Sequence, residues 1–100
     1  YMMLGDRITA EEAQKAGMIY KWFADKTFQK DSGLLALTLA GLPTRALAFT
    51  KEALNGSMSQ DFEAQLHTED LLQQKAALTE DFKEGVASFL EKRKPQFTGQ

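Results

Sequence analysis

Apolar residues recur at spacings of three and four along most of the chain, which predicts helices. Thr9-Ala10-Glu11-Glu12 reads as a capping box, with the Thr9 hydroxyl serving the Glu12 amide and Glu12 reaching back to Thr9. Gly17 is the expected stop, because glycine takes a left-handed cap without strain. Ala10, Ala13 and Ala16 give this first helix a small-residue face for close packing. Met18-Ile19-Tyr20-Lys21-Trp22-Phe23 alternates loosely and is rich in aromatic and β-branched residues, so residues 18–23 form the one strand candidate. A lone strand cannot make a sheet; it needs a partner from elsewhere or serves as an extended connector.

A second helix is expected after Ala24-Asp25-Lys26 and up to about Ala40, with Phe28, Leu35 and Leu39 on one face and an interruption at Asp31-Ser32-Gly33. Gly41-Leu42-Pro43 ends it, and Pro43-Thr44 opens a third helix. That helix carries Ala46, Leu47, Phe49, Ala53 and Leu54 and closes at Asn55-Gly56. Asn55-Gly56-Ser57 matches a glycosylation acceptor, but helix capping accounts for it better. A fourth helix starts near Ser59 or Asp61 and runs to about Ala77, on an apolar line of Phe62, Leu66, Leu72 and Ala76. A fifth starts at Thr79 and carries Phe82, Val86, Phe89 and Leu90. Its internal Gly85 costs about 1 kcal/mol relative to alanine and suggests a bend or a tight helix contact. Lys92-Arg93-Lys94 is expected in its last turn, at the negative dipole end, with Pro95 as the stop.

The fold class that follows is mostly α: four to five short helices and one short strand candidate near 18–23. With 100 residues, the chain is below one average domain and buries only about 60–65% of its unfolded surface. Such short helices with wide apolar stripes should leave a sizeable apolar patch for another chain or domain. Twelve basic against 14 acidic residues exclude a strongly basic nucleic-acid binder, so no nucleic-acid partner is expected. Zero cysteines exclude disulfides, a thiol nucleophile and a thiolate metal site. One histidine argues against a zinc cage, so no metal is expected. The longest apolar run, Leu34 to Leu42, is far short of the roughly 20 residues of a membrane span, so no membrane partner is expected and a cytoplasmic setting is the default. The chain opens at Tyr1 inside an apolar run, which reads as a cut through a larger protein.

Candidate chemistry is sparse. His67 has only Glu63 and Asp70 within helical reach, an ordinary surface pattern. The acid pairs Glu11-Glu12, Glu69-Asp70 and Glu80-Asp81 point about 100° apart on a helix and form no shared-proton dyad. No phosphate loop or nucleophile elbow is present. The basic cluster Lys92-Arg93-Lys94 is the candidate site. Lys92 lies three residues past Phe89, so both side chains share one flank of the helix, an aromatic beside a cation that suits a nucleotide. On periodicity alone Phe89 belongs to the core, in register with Phe82 and Val86.

Three stretches resemble the C-terminal part of the enoyl-CoA hydratase/isomerase (crotonase) superfamily. Leu4-Gly5-Asp6-Arg7-Ile8-Thr9-Ala10-Glu11-Glu12-Ala13 through Gly17-Met18-Ile19 looks like its strand, glycine turn and Ala-Glu-Ala helix. Leu42-Pro43 with Ala46 and Lys51 is similar to the helix after its Pro-x-x-Ala. Asp81 through Phe97 resembles its Glu-Gly-x-x-Ala-Phe-x-Glu-Lys-Arg-x-Pro-x-Phe ending, with Ser88 where alanine is common. The tail Lys94-Pro95-Gln96-Phe97-Thr98-Gly99, with Gln73-Gln74-Lys75-Ala76, is most similar to the phenylacetate-degradation branch.

The resemblance implies a helical module of a crotonase-like fold whose catalytic spiral β/α core lies outside this chain. It implies assembly as trimers or hexamers, contacts with the module's own N-terminal domain and neighbouring subunits, and acyl-CoA as substrate rather than cofactor, with no other cofactor. Backbone amides that hold the enolate oxygen, and the acids that move protons, belong to the absent core. No catalytic residue therefore carries over. The ending helix implies contact with the adenine and phosphate end of CoA through Phe89 and Lys92; the place of an upstream aromatic used by some members is taken by Gln73. The expected role is trimerisation and completion of the acyl-CoA pocket, with the chain inactive alone. The alternative is a free-standing helical protein-interaction module whose apolar stripes dock a partner helix.

Overall fold

Five helices form among the residues described by the computed structural model, which are Met3 and Gly5–Gln100. Tyr1, Met2 and Leu4, where the first family-like stretch opens, lie outside the described residues. The helices are α1 (Ala10–Lys15), α2 (Phe28–Ala40), α3 (Thr44–Ser57), α4 (Phe62–Ala77) and α5 (Glu80–Leu90). Among the described residues there is no strand, so the candidate at 18–23 is corrected to irregular chain. The reason is the one its isolation suggests: among the described residues, no extended segment takes its backbone groups. Met18 instead donates its N–H to Ala13, closing α1.

The chain divides into a first unit up to Leu35 and a second from Ala36. In the first, the capping box forms in full: Thr9 Oγ1 accepts from the Glu12 N–H at 3.2 Å, and Glu12 accepts from the Thr9 N–H at 2.8 Å. The Thr9 N–H, and after it the Thr9 hydroxyl donating to the same carboxylate at 2.8 Å, hold the Glu12 carboxyl below the usual carboxylate range. At the other end Gly17 has φ +72°, and the N–H groups of Gly17 and Met18 reach back to Gln14 and Ala13, a Schellman motif. Lys21 lies 5.3 Å over the Phe23 ring, and Phe23 meets Phe28 edge-on at 6.4 Å. α2 runs unbroken through Asp31-Ser32-Gly33, where Ser32 Oγ folds its hydrogen bond back onto the Phe28 carbonyl at 2.6 Å.

In the second unit α3 packs against α4, and α4 meets α5 over a shorter stretch. Asp61 caps α4 by accepting from the Ala64 N–H at 2.8 Å. Thr79 caps α5 by accepting from the Phe82 N–H at 3.1 Å. Among the described residues, three of the four buried ones are polar, Thr79, Asp81 and Ser88; the fourth is the apolar Leu72. The accessible surface totals 8582 Å². Two separate globular bodies of the units' sizes would expose only about 6,800 Å² together. Large apolar side chains are exposed on each of the helices α2 to α5, as the wide stripes lead one to expect.

Candidate functional site

The two faces of α5 are used in opposite ways. Its polar face is covered by the chain's own tail. Asp81, only 3% exposed, accepts from the N–H groups of Thr98 (2.7 Å) and Gly99 (2.9 Å), and its own N–H donates to the Gln100 carbonyl at 3.2 Å. One turn on, the Glu84 carboxylate takes two parallel bonds from Arg93, at 2.5 and 2.7 Å, and a third from the Gln96 N–H at 2.7 Å. The Arg93 fork, then the Gln96 amide, hold the Glu84 carboxyl down at about 2, while Glu84 and then Glu91 push the Arg93 guanidinium above its ordinary value. Gly85 faces Phe97: a Cβ built there would lie 3.8 Å from the ring, an ordinary contact. The expected tight helix contact at Gly85 is therefore not found among the described residues: its neighbour is Phe97 of the tail, with room for a methyl group.

The apolar face is left bare. Leu78, Phe82, Val86, Phe89 and Leu90 are all exposed, Phe89 by 83%. Phe82, Val86, Phe89 and Leu90 line a shallow groove of roughly 480 Å³ that also takes in Pro43, Ala46, Ala76 and Phe97. The core reading of Phe89 is thus corrected: its periodicity is that of an apolar face, but that face has no partner among the described residues.

Lys92 requires a second correction. α5 ends at Leu90, with Glu91 as its cap, so Lys92-Arg93-Lys94 is not a last helical turn. Lys92 has φ +55°, the one non-glycine residue with positive φ among the described residues. Its N–H donates to the Phe89 carbonyl (3.3 Å), and the Arg93 N–H donates to the Ser88 carbonyl (3.0 Å), the same Schellman pattern that closes α1. Phe89 and Lys92 are linked by that backbone bond and do not share a helical flank. Gln73 lies elsewhere, in a recess between α3 and α4.

The sequence pattern did not reveal the clamp. Asp81 reads as a first-turn acid serving the helix dipole, yet it holds a tail that is remote in sequence. The available signal was negative: no glycine follows Leu90, so some other residue had to close the helix. Among the described residues, no three His, Asp or Glu side chains are grouped to hold a metal ion, and no single helix is long and apolar enough to cross a membrane.

The model of the family described as enoyl-CoA hydratase/isomerase matches residues 1–100, the whole chain. The chain belongs to the enoyl-CoA hydratase/isomerase family. Similar curated proteins include the 1,2-epoxyphenylacetyl-CoA isomerase of Escherichia coli K12, 39% identical over 98% of this chain and 37% of that protein. The 2,3-dehydroadipyl-CoA hydratase of the same organism is 35% identical over 99% of this chain and 39% of its own length. Among solved structures, an enoyl-CoA hydratase from Polaromonas sp. JS666 superposes with a TM-score of 0.86 at 29% identity, covering 96% of this chain and 37% of that one. The five-helix arrangement is therefore one found within crotonase-fold members of the family. The chain spans under two-fifths of the length of these relatives.

Proposed function

We propose that the chain is the C-terminal trimerisation and acyl-CoA-pocket-completing module of an enoyl-CoA hydratase/isomerase acting on CoA thioesters. The observation that carries this is the bare apolar face of α5, in a chain that matches the family end to end yet covers under two-fifths of its relatives. A face holding Phe82, Val86 and Phe89 is stable in water only at a cost that burial against another body removes. The parent's remaining chain and neighbouring subunits are the partners that fit, and the parent works as an oligomer in the cytoplasm. Phe89 stacks against the CoA adenine and Lys92 pairs with its phosphate, an exposed aromatic beside a cation. Similarity to the 1,2-epoxyphenylacetyl-CoA isomerase, with the family-like tail, favours an aromatic acyl group from phenylacetate degradation.

Two tests follow. Lys92→Ala in the full-length enzyme should weaken CoA binding about tenfold, the loss of one charge-assisted contact of about 1.5 kcal/mol; unchanged affinity measured by calorimetry overturns the assignment. The 100-residue chain alone should hydrate no enoyl-CoA, since the acids and amides of the chemistry belong to the absent core; measurable turnover contradicts the module reading.

A further inference from the structure

The CoA contacts assigned to Phe89 and Lys92 leave open how a flexible lysine beyond a helix end is aimed, and the geometry around it supplies an answer. We propose that Arg93, clamped by Glu84, is a positioning residue that fixes Lys92 in its left-handed backbone conformation and so sets the site's cation before CoA arrives. This rests on the reading of Lys92 as a CoA contact.

Lys92 sits in a region that L side chains enter at a cost, so something must hold it there. Its own N–H bond to Phe89 is the longer of the two that close the helix, at 3.3 Å; the 3.0 Å bond belongs to the next residue, Arg93, and lands on Ser88, which is only 3% exposed. The Arg93 guanidinium is in turn fixed by the two-bond fork to Glu84, and the same carboxylate takes the Gln96 N–H at 2.7 Å. Residues 93 and 96 are therefore tied to one carboxylate on α5, which brackets Lys92 between the helix end and a closed loop. A loose surface ion pair would contribute little. This one is bidentate and partly screened from water, with side-chain exposures of 40% for Arg93 and 23% for Glu84. Lys92 itself makes no part of the clamp, so its ammonium is left available for a phosphate.

The test is a double-mutant cycle in the full-length enzyme, with CoA itself as the probe and its dissociation constant read by calorimetry. Arg93→Met should weaken CoA binding about fivefold. Arg93→Lys, which keeps the charge but cannot form the fork, should recover part of that loss. In a Lys92→Ala background, Arg93→Met should add nothing, because its effect passes through the lysine. If Arg93→Met prevents folding, Glu84→Gln and Arg93→Lys carry the same cycle. Should Lys92→Ala weaken CoA while neither Arg93 nor Glu84 substitutions do, or should the Arg93 effect persist in full without Lys92, the positioning role is overturned and the CoA site stands. Should Lys92→Ala leave CoA binding unchanged, the site itself falls, and the positioning role with it.

Discussion

Helices α1 and α5 end with the same pair of backbone hydrogen bonds, yet one places Gly17 at the left-handed position and the other places Lys92. At Gly17 the conformation is free of Cβ strain, and a Cβ built there meets nothing within 4 Å, so the glycine answers only to its own φ. At Lys92 the same geometry carries about 1 kcal/mol of strain. Among the described residues, the bonds that close the α1 end are local. The α5 end is backed by the Glu84–Arg93 fork and by a tail held on Asp81. The contrast teaches that a helix end can keep an unfavourable residue when tertiary contacts fix it, and that such a residue is a place to look for function.

The largest effect should come from removing the backing. Asp81→Ala leaves the Thr98 and Gly99 amides without their acceptor and should destabilise the tail's attachment by about 3 kcal/mol. Hydrogen exchange of those two amides should then rise more than a hundredfold, while exchange in α1 stays unchanged. Next come the two cap residues, with opposite signs. Gly17→Ala should destabilise the α1 end by about 1 kcal/mol, and Lys92→Gly should stabilise the α5 end by a similar amount. Each is readable as a roughly fivefold change in exchange of the amides that close the helix. Equal signs would break the comparison.

Acid should separate the two ends more finely. Glu84 has a folded-state pKa below its unfolded value, so its contribution is present above the ordinary carboxylate range and is lost as pH falls toward about 2. The Gln96 amide proton should report a transition near pH 2 in NMR titrations, and Glu84→Gln should abolish it. The smallest effect is expected from Gly85→Ala. The helix interior should gain about 0.5 kcal/mol, read as a small rise in thermal midpoint, since the new methyl group makes only ordinary contact with Phe97.

Local signals were legible in the sequence. Thr9, Asp61 and Thr79 each predict a helix start, and each side chain accepts the amide its position requires. Gly17 predicts a stop for the same reason of local backbone chemistry. What depends on contacts distant in sequence was not legible. Residues 18–23 have strand composition but no pairing partner among the described residues. Asp31-Ser32-Gly33 looks like a break, yet α2 passes through it because Ser32 satisfies itself on its own helix. In the candidate site, periodicity located Phe89 on an apolar face but not that this face is bare. Lys92 was found as a charge, and its backbone conformation was hidden because it arises from Arg93, Glu84 and the returning tail.

The central claim is that the end of α5 meets CoA in a longer enzyme. Competitive lysine labelling of the full-length protein, with and without saturating CoA, tests it most directly. The account predicts that Lys92 loses reactivity on CoA addition while Lys83, an exposed lysine paired with Glu80 on the same helix, keeps its own. Equal labelling of Lys92 in both conditions, in a protein shown to have bound CoA, would contradict it.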